Sequence, residues 1–453
     1  MGSAMNFQVV VLAGGVSKKL HPLVSKDVPK ALLPLGNKPV LSYVLELLET
    51  SSLKEIILVV AGEDAALCVS NWVAETVHDR LRVEVIAAPE DSDTADALRS
   101  VMHRLTAEDF LVVSGDLVSD VPIGAVAATH RRQGALITAL LCNRALLGSS
   151  EPGSEKIKLQ PVSDIIGLDS TQQHLLYVAP GAEIERDLRV RRSLLRAVGN
   201  MEIRTDLVDA HLYAFNRLLV QGVLESRPTI KSIKQDLVPY LVRTQLRLGV
   251  PSTTVGSPAE DKDNQHPPSL PDTEVFAQLL RSSQCQHRAT ASSSPLKCCT
   301  YIASKGKFCV RVNSLQAYLD MNREIAGEAI HLTGYEVSSH NNVIHETSQL
   351  GWKSTVGPQC MLGEGSTLGE RCSVKRSVVG RHCRIGSNVK IMNSVVMDYV
   401  TVEDGCTIQN SIICSNANLQ ERCCLKDCQV GTGYIVTARL ELKGEALAKK
   451  EKL

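Results

Sequence analysis

The residues best suited to chemistry cluster early in the chain. Leu12-Ala-Gly14-Gly15-Val-Ser17-Lys18-Lys19-Leu20 follows an apolar run, and Pro29-Lys30-Ala-Leu-Leu-Pro-Leu35 comes shortly after. A glycine pair at a strand-to-loop turn lets backbone N–H groups approach a phosphate closely, and lysines neutralise its charge. A tight turn carrying surface lysines explains the same residues without a ligand. Arg186, Arg189, Arg191, Arg192 and Arg196 form a second group, suited to an acidic partner or simply to a solvated helix face. Cys285-Gln286-His287 with Cys298-Cys299 is the nearest approach to a zinc set. Zinc ligands usually come in pairs two to four residues apart, and no C-x-x-C occurs anywhere, so small semi-buried thiols are the better reading.

The elements that must position these groups are those of a soluble globular chain. Its 453 residues suggest two or three domains, and 44% apolar with 22% charged residues excludes a mainly disordered state. Lys+Arg and Asp+Glu balance at 49 each, which removes a whole-protein attraction to nucleic acid or anionic membrane. Aromatics at 4% are too few for an obvious base-stacking platform. No apolar run approaches the ~18 residues that span a bilayer. No signal peptide is visible at the start, and Asn6 stands where a myristoylation motif wants Ser or Thr. A cytosolic location is expected.

Strands are expected at Gln8–Ala13, Glu55–Ala61, Arg82–Ala87, Asp109–Ser114 and Ala135–Leu141. Amphipathic stretches such as Pro39–Glu49 and Thr94–Leu105 lie between them. Such alternation implies a mostly parallel sheet covered on both faces, with ligands at the carboxyl ends of its strands. Residues 250–298 are polar and breaker-rich and are expected to form a flexible insertion, with one short helix at Asp272–Arg281.

From Leu362 an aliphatic residue recurs at steps of six, six and five. Leu362, Val379, Val396, Ile413 and Val430 make one column. Leu368, Ile385, Val402 and Leu419 make a second, and Val374, Ile391, Ile408 and Leu425 a third. Three columns at a 17-residue superperiod describe a triangular prism, a hexapeptide β-helix of four to five coils. Glycine follows the inward residue at Val356, Leu362, Leu368, Val379, Ile385 and Val430, and the expected reason is a corner needing special backbone angles. Eight of the 14 cysteines fall in the last hundred residues, where a small hydrophobe fits beside each corner.

The segments Leu12–Leu20 and Pro29–Leu35 resemble the signature of the sugar-nucleotide pyrophosphorylases, nucleotidyltransferases that often carry a hexapeptide β-helix. The resemblance implies a Rossmann-like nucleotidyltransferase domain followed by a left-handed parallel β-helix. It also implies nucleotidyl transfer to a sugar 1-phosphate with a magnesium ion held by two aspartates. The departures argue against that activity. Ser17-Lys18-Lys19 stands for Gly-Thr-Arg, and Lys lacks arginine's bidentate clamp. The base-recognition segment reads Asp93-Thr94-Ala95-Asp96-Ala97, with a carboxylate where a glycine is expected. Leu176–Pro180 lacks the sugar-phosphate lysine. Asp116 of Ser114-Gly115-Asp116 matches the first metal aspartate, although a structural cap serves it equally well. Counting back from the helix Gln316–Asn322 puts Arg311 at the second. A guanidinium about 4 Å from a dication costs roughly 8 kcal/mol at an effective dielectric near 20. The expected site is therefore a vestigial phosphate pocket of Gly14, Gly15, Lys19, Lys30 and Asp116, with no metal, no cofactor and no catalytic residue.

A decayed pyrophosphorylase fold with a β-helix is similar to two subunits, gamma and epsilon, of the translation initiation factor 2B guanine-nucleotide exchange complex. Asp164–Ser170, Asp206–Tyr213 and Ser232–Val242 carry that pattern. Epsilon continues into a helical exchange domain, whereas this sequence stops at Leu453, which points to the gamma branch. The resemblance implies a non-catalytic subunit. It would pair with epsilon and the other subunits and contact initiation factor 2, with no membrane or direct nucleic-acid contact. An active sugar-nucleotide pyrophosphorylase is the alternative. A hexapeptide acyltransferase fits poorly, since His382 is the one ladder histidine and the strict spacing leaves no projecting loop. The expected domains are 5–249, pyrophosphorylase-like; 250–298, insertion; 299–335, connector with a helix; 336–437, β-helix; and 438–453, tail.

Overall fold

The computed structural model describes residues 7–14, 18–24, 28–51, 53–77, 81–143, 164–181, 200–248 and 297–448. The Arg186–Arg196 group, Gly15, Cys285-Gln286-His287 and the helix expected at Asp272–Arg281 lie outside them.

Among the described residues seven strands build the first sheet: β1 Gln8–Leu12, β2 Glu55–Ala61, β3 Arg82–Ala88, β4 Asp109–Ser114, β5 Ile137–Asn143, β6 Leu207–Asn216 and β7 Cys298–Ile302. Their order is β7-β5-β6-β4-β1-β2-β3. Only β6 runs against its neighbours. β1 is Gln-Val-Val-Val-Leu, and Val9, Val10 and Val11 are all buried. A run apolar on both faces is what a sheet with helices on either side requires. On one face Val10 and Val112 meet α3 (Thr94–Val101), α5 (Arg217–Ser226) and α6 (Val238–Leu248) through Leu98, Val220 and Leu241. On the other, Val9, Val11 and Val113 meet α1 (Val40–Thr50), α2 (Glu63–Thr76) and α4 (Ile123–Gln133) through Val44, Val69 and Val126. Each such fully buried aliphatic contributes about 1.5–3 kcal/mol.

The expected strands and helices stand at or near their read positions. β5 is displaced two residues toward the C-terminus, to Ile137–Asn143. β7 corrects the expected connector. Cys298–Ile302 pairs in parallel with β5 and completes the sheet, so residues after the insertion return to the first domain. The run Cys-Cys-Thr-Tyr-Ile carries the β-branched and aromatic bias of a strand, but polar sequence on its N-terminal side hid it.

The third region is a three-sided parallel prism with sheets of seven, six and six short strands. Val379 pairs with Val396, Ile385 with Val402 and Val374 with Ile391, so the ladder columns stack in register. Its inward aliphatics and corner cysteines form one core. Among the described residues the prism has six coils rather than four to five, and its C-terminal end is corrected. An earlier coil through Ile344, Leu350 and Val356 pairs with the next one at an 18-residue step. The expected tail supplies the strands Glu441–Lys443 and Ala446–Leu447, because Leu442 and Leu447 continue the 17-residue step.

The glycines after inward residues do not supply special backbone angles. Left-handed φ values fall instead at Gly365, His382 (φ 51°) and Tyr399 (φ 59°), and at Arg371, Asn388 and Gly405, each set one coil apart. A Cβ on Gly363 would lie 2.5 Å from the Gly380 carbonyl oxygen of the next coil. The coils approach too closely there for any side chain.

The corner cysteines are packing groups. Cys372, Cys383, Cys406 and Cys423 each donate S–H to a carbonyl one coil on, at 2.9–3.1 Å. Ser366 donates to Gly380 O in the same way, so cysteine and serine are equivalent occupants of this position. Burial pushes Cys383 up to about 12 and Cys406 up to about 11, which leaves both as inert thiols at neutral pH.

One prism face is apolar outward as well. Met361, Val378, Val395 and Ile412 pack on α7 (Leu315–Ala326) and on Leu33, Leu35 and Tyr43 of the first domain. Ser314 caps α7 by accepting from Ala317 N. Asn322 of α7 accepts from Gly36 N at 3.0 Å, and Asn37 donates to Val379 O at 3.1 Å. Leu33–Asn37 therefore joins the two domains, a structural role for the second half of the early motif.

Candidate functional site

The site lies where β1 and β4 end. Leu12 of β1 leads into Gly14, and Ser114 of β4 into Gly115 and Asp116. These glycines are required by the sheet itself. A Cβ on Gly14 would come within 2.6 Å of Ala61 N, and one on Gly115 within 2.8 Å of Ala13. The loops after three neighbouring parallel strands are packed against each other.

Asp116 is 3% exposed and sits between two cations. Lys30 Nζ lies 2.6 Å from its Oδ2. Arg311, on a short strand Cys309–Arg311 that pairs antiparallel with Leu117–Ser119, donates from Nε to Oδ1 at 2.8 Å and from a terminal nitrogen to Oδ2 at 3.0 Å. The same terminal nitrogen donates to Ser114 Oγ at 3.0 Å, and Ser114 Oγ donates to Asp116 Oδ1 at 2.7 Å. Burial alone would raise the Asp116 carboxyl. The Arg311 and Lys30 charges outweigh it and hold the carboxyl far below the usual carboxylate range.

His211 enters the same hollow, and the sequence reading did not single it out. β6 shifts register between Asp209 and Tyr213, and His211 takes φ 53° at that irregularity. A bulge re-aims a side chain in this way. Asp209 fixes the bulge, accepting from His211 N at 2.8 Å and from the Tyr213 hydroxyl at 2.5 Å. Burial, then the Arg311 and Lys234 charges, holds the His211 imidazole well below its ordinary value. Acidification through about pH 6.5 therefore protonates this histidine in the unfolded chain but not in the folded one. Stability is present above that pH and is lost as pH falls below it. Thermal unfolding between pH 7.5 and 5.5 is expected to show this loss in the wild type and a shallower loss in His211→Asn. Equal slopes would remove His211 from this role.

The remaining expected residues divide. Gly14, Lys30 and Asp116 line one hollow of about 60 Å³ together with Thr94, His211 and Arg311. Lys19 is exposed on a short turn and is not among its lining residues. Asp93 caps α3, accepting from Thr94 N at 2.6 Å, and lines an adjoining hollow of about 50 Å³. Thr94 Oγ accepts from Ile233 N, and Ala95 N donates to Lys231 O, which ties the expected base-recognition segment to the α5–α6 connection. Asp96 pairs with Arg99, whose guanidinium also binds the carbonyls of Leu224, Arg227 and Ile230. That segment holds the fold together.

The residues do not fit a divalent cation. The two oxygens of a carboxylate offer about four lone-pair positions. Arg311 Nε and Ser114 take Oδ1, while Lys30 and the Arg311 terminal nitrogen take Oδ2.

Comparison with known proteins agrees with both halves of the fold. The nucleotidyl transferase family profile matches residues 8–146, and that of the EIF2B subunit epsilon LbH domain matches residues 339–442. Translation initiation factor eIF2B subunit gamma of Dictyostelium discoideum is 31% identical over 397 residues, covering 84% of this chain and 88% of the relative. The chain belongs to the eIF2B gamma family. The eIF2B subunit gamma of Schizosaccharomyces pombe is 30% identical over 82% of this chain and 74% of the relative. The epsilon subunit of the same yeast is 23% identical over 45% of this chain and 30% of its own length. These relatives favour the eIF2B gamma family over the sugar-nucleotide pyrophosphorylases, and the LbH match makes the prism a left-handed β-helix.

Proposed function

We propose that this chain is a non-catalytic subunit of an eIF2B guanine-nucleotide exchange complex. In this reading it pairs with the epsilon subunit, contacts initiation factor 2 and supports GDP/GTP exchange on it. It works in the cytosol, without cofactor and without direct contact to nucleic acid or membrane. The observation that carries the non-catalytic part is the Arg311–Asp116–Lys30 cluster, which fills the position where a metal clamp would stabilise phosphoryl transfer. Family membership carries the rest. No helix of the described residues is long and apolar enough to cross a membrane. Co-expression with epsilon is expected to yield a co-purifying complex, and the purified chain to release no pyrophosphate from a nucleoside triphosphate, a sugar 1-phosphate and Mg²⁺. Magnesium-dependent pyrophosphate release would restore the pyrophosphorylase reading.

A second reading keeps Gly14, Gly15 and Lys30 as a metal-free phosphate pocket beside Asp116. Its support is charge, since two cations face one carboxylate beside the hollow. Calorimetric titration of nucleotides into wild type and Lys30→Ala separates the cases. Heat of binding that Lys30→Ala abolishes favours a pocket, and flat traces for both dispose of it.

A further inference from the structure

We infer that the Arg311 guanidinium is a built-in substitute for the divalent cation of the nucleotidyltransferase fold, one that cannot dissociate. This rests on the non-catalytic reading of the site. A metal between two aspartates does two things: it supplies positive charge, and it ties the segments that carry the carboxylates. Arg311 does both. Its charge meets Asp116 through two hydrogen bonds, and a third reaches Ser114. The tie is continuous with the backbone. Arg311 pairs with Leu117, and Val312 N donates to Asp116 O at 2.9 Å.

What the tie holds is the approach to α7. Val310 and Val312 flank Arg311 and are buried in the cluster that seats the prism, and Ser314 then caps α7. The strut therefore fixes the helix on which the prism's apolar face rests. A metal-bound version would release this link whenever the ion left. Here the cation itself is covalently part of the chain, so the link to Asp116 is indifferent to free magnesium. Restoring a carboxylate at 311 would put two carboxylates around the space the guanidinium vacates, the oxygen donors a cation site needs, with the Lys30 ammonium still paired to Asp116.

Manganese uptake, followed by electron paramagnetic resonance on the purified full chain, tests this without any turnover. Wild type and Asp116→Asn are expected to take up Mn²⁺ equally. Arg311→Asp is expected to take up one additional ion per chain, absent from Arg311→Asp/Asp116→Asn, with a Tm that falls in EDTA and recovers in millimolar Mn²⁺. An ion in the wild type that Asp116→Asn releases would overturn the inference, as would an Arg311→Asp variant that binds no more than the double variant. Arg311→Ala gives a second arm in case Arg311→Asp does not fold. Its Tm is expected to fall and to be partly restored by millimolar methylguanidinium but not by Mg²⁺. An unchanged Tm, or rescue by Mg²⁺ alone, contradicts the strut. Pyrophosphate release by the wild type would instead sink the non-catalytic reading, so the two failures are told apart.

Discussion

Arg311→Met is expected to cost about 3–5 kcal/mol of stability, the range for removing one partner of a buried ion pair. At that loss the Tm falls by roughly 5–10 °C for a unit of this size. The cost comes from what is left behind. Asp116 is 3% exposed, and without Arg311 it keeps only Lys30 and Ser114 as partners. Removing the carboxylate as well should recover much of the loss, since Arg311→Met/Asp116→Leu leaves no buried unpaired acid. Lys30, 16% exposed, can then turn its ammonium to water. The Asp116 carboxyl is held below its ordinary value, so the pair's contribution is present above about pH 4 and lost only as pH falls beneath that. The wild-type-to-variant difference should therefore stay flat between pH 7 and 8 and narrow below about pH 6.5, where loss of the Arg311 charge eases protonation of His211. Denaturant unfolding of the single and double variants measures it. A loss under about 1 kcal/mol for Arg311→Met would mean that the cluster is only loosely held.

Arg311 was legible from the sequence because the helix after it fixed the frame of counting. Asp116 was legible because an apolar strand ended two residues before it. The prism was legible because one aliphatic residue per strand must face inward, which writes the period into the chain. His211 was not, because a bulge depends on a pairing irregularity that β6 shows only against its neighbour. β7 was lost for a related reason. A five-residue edge strand that returns after a long insertion carries too little pattern to declare its partner, and only the contact with β5 makes it part of the sheet. The prism glycines were placed correctly and explained wrongly. The closeness of the next coil at Gly363, Gly369, Gly380 and Gly386 is set by that coil and is invisible in one coil.

That correction has a large expected effect. Gly363→Ala puts a Cβ 2.5 Å from a backbone oxygen held by the prism ladder, so it should destabilise by about 3 kcal/mol, the upper end of overpacking. Gly405→Asn is the contrast. Gly405 has φ 73°, yet its column accepts Arg371, Asn388 and Arg422 at similar angles, and asparagine tolerates the left-handed region. Its cost should stay below about 1 kcal/mol. Thermal unfolding and limited proteolysis of the two variants settle which property the prism demands. Comparable costs would return the explanation to backbone angle.

In the proposed reading, the Arg311–Asp116–Lys30 cluster and the seated prism belong to a chain kept for what it holds in place. The most direct measurement is the rate of GDP release from initiation factor 2 with purified epsilon alone and with epsilon plus this chain. The expected result is a faster release with the chain present, undiminished when nucleoside triphosphate and sugar 1-phosphate are omitted. No acceleration, from a chain that is folded and mixed with epsilon in excess, would contradict the account.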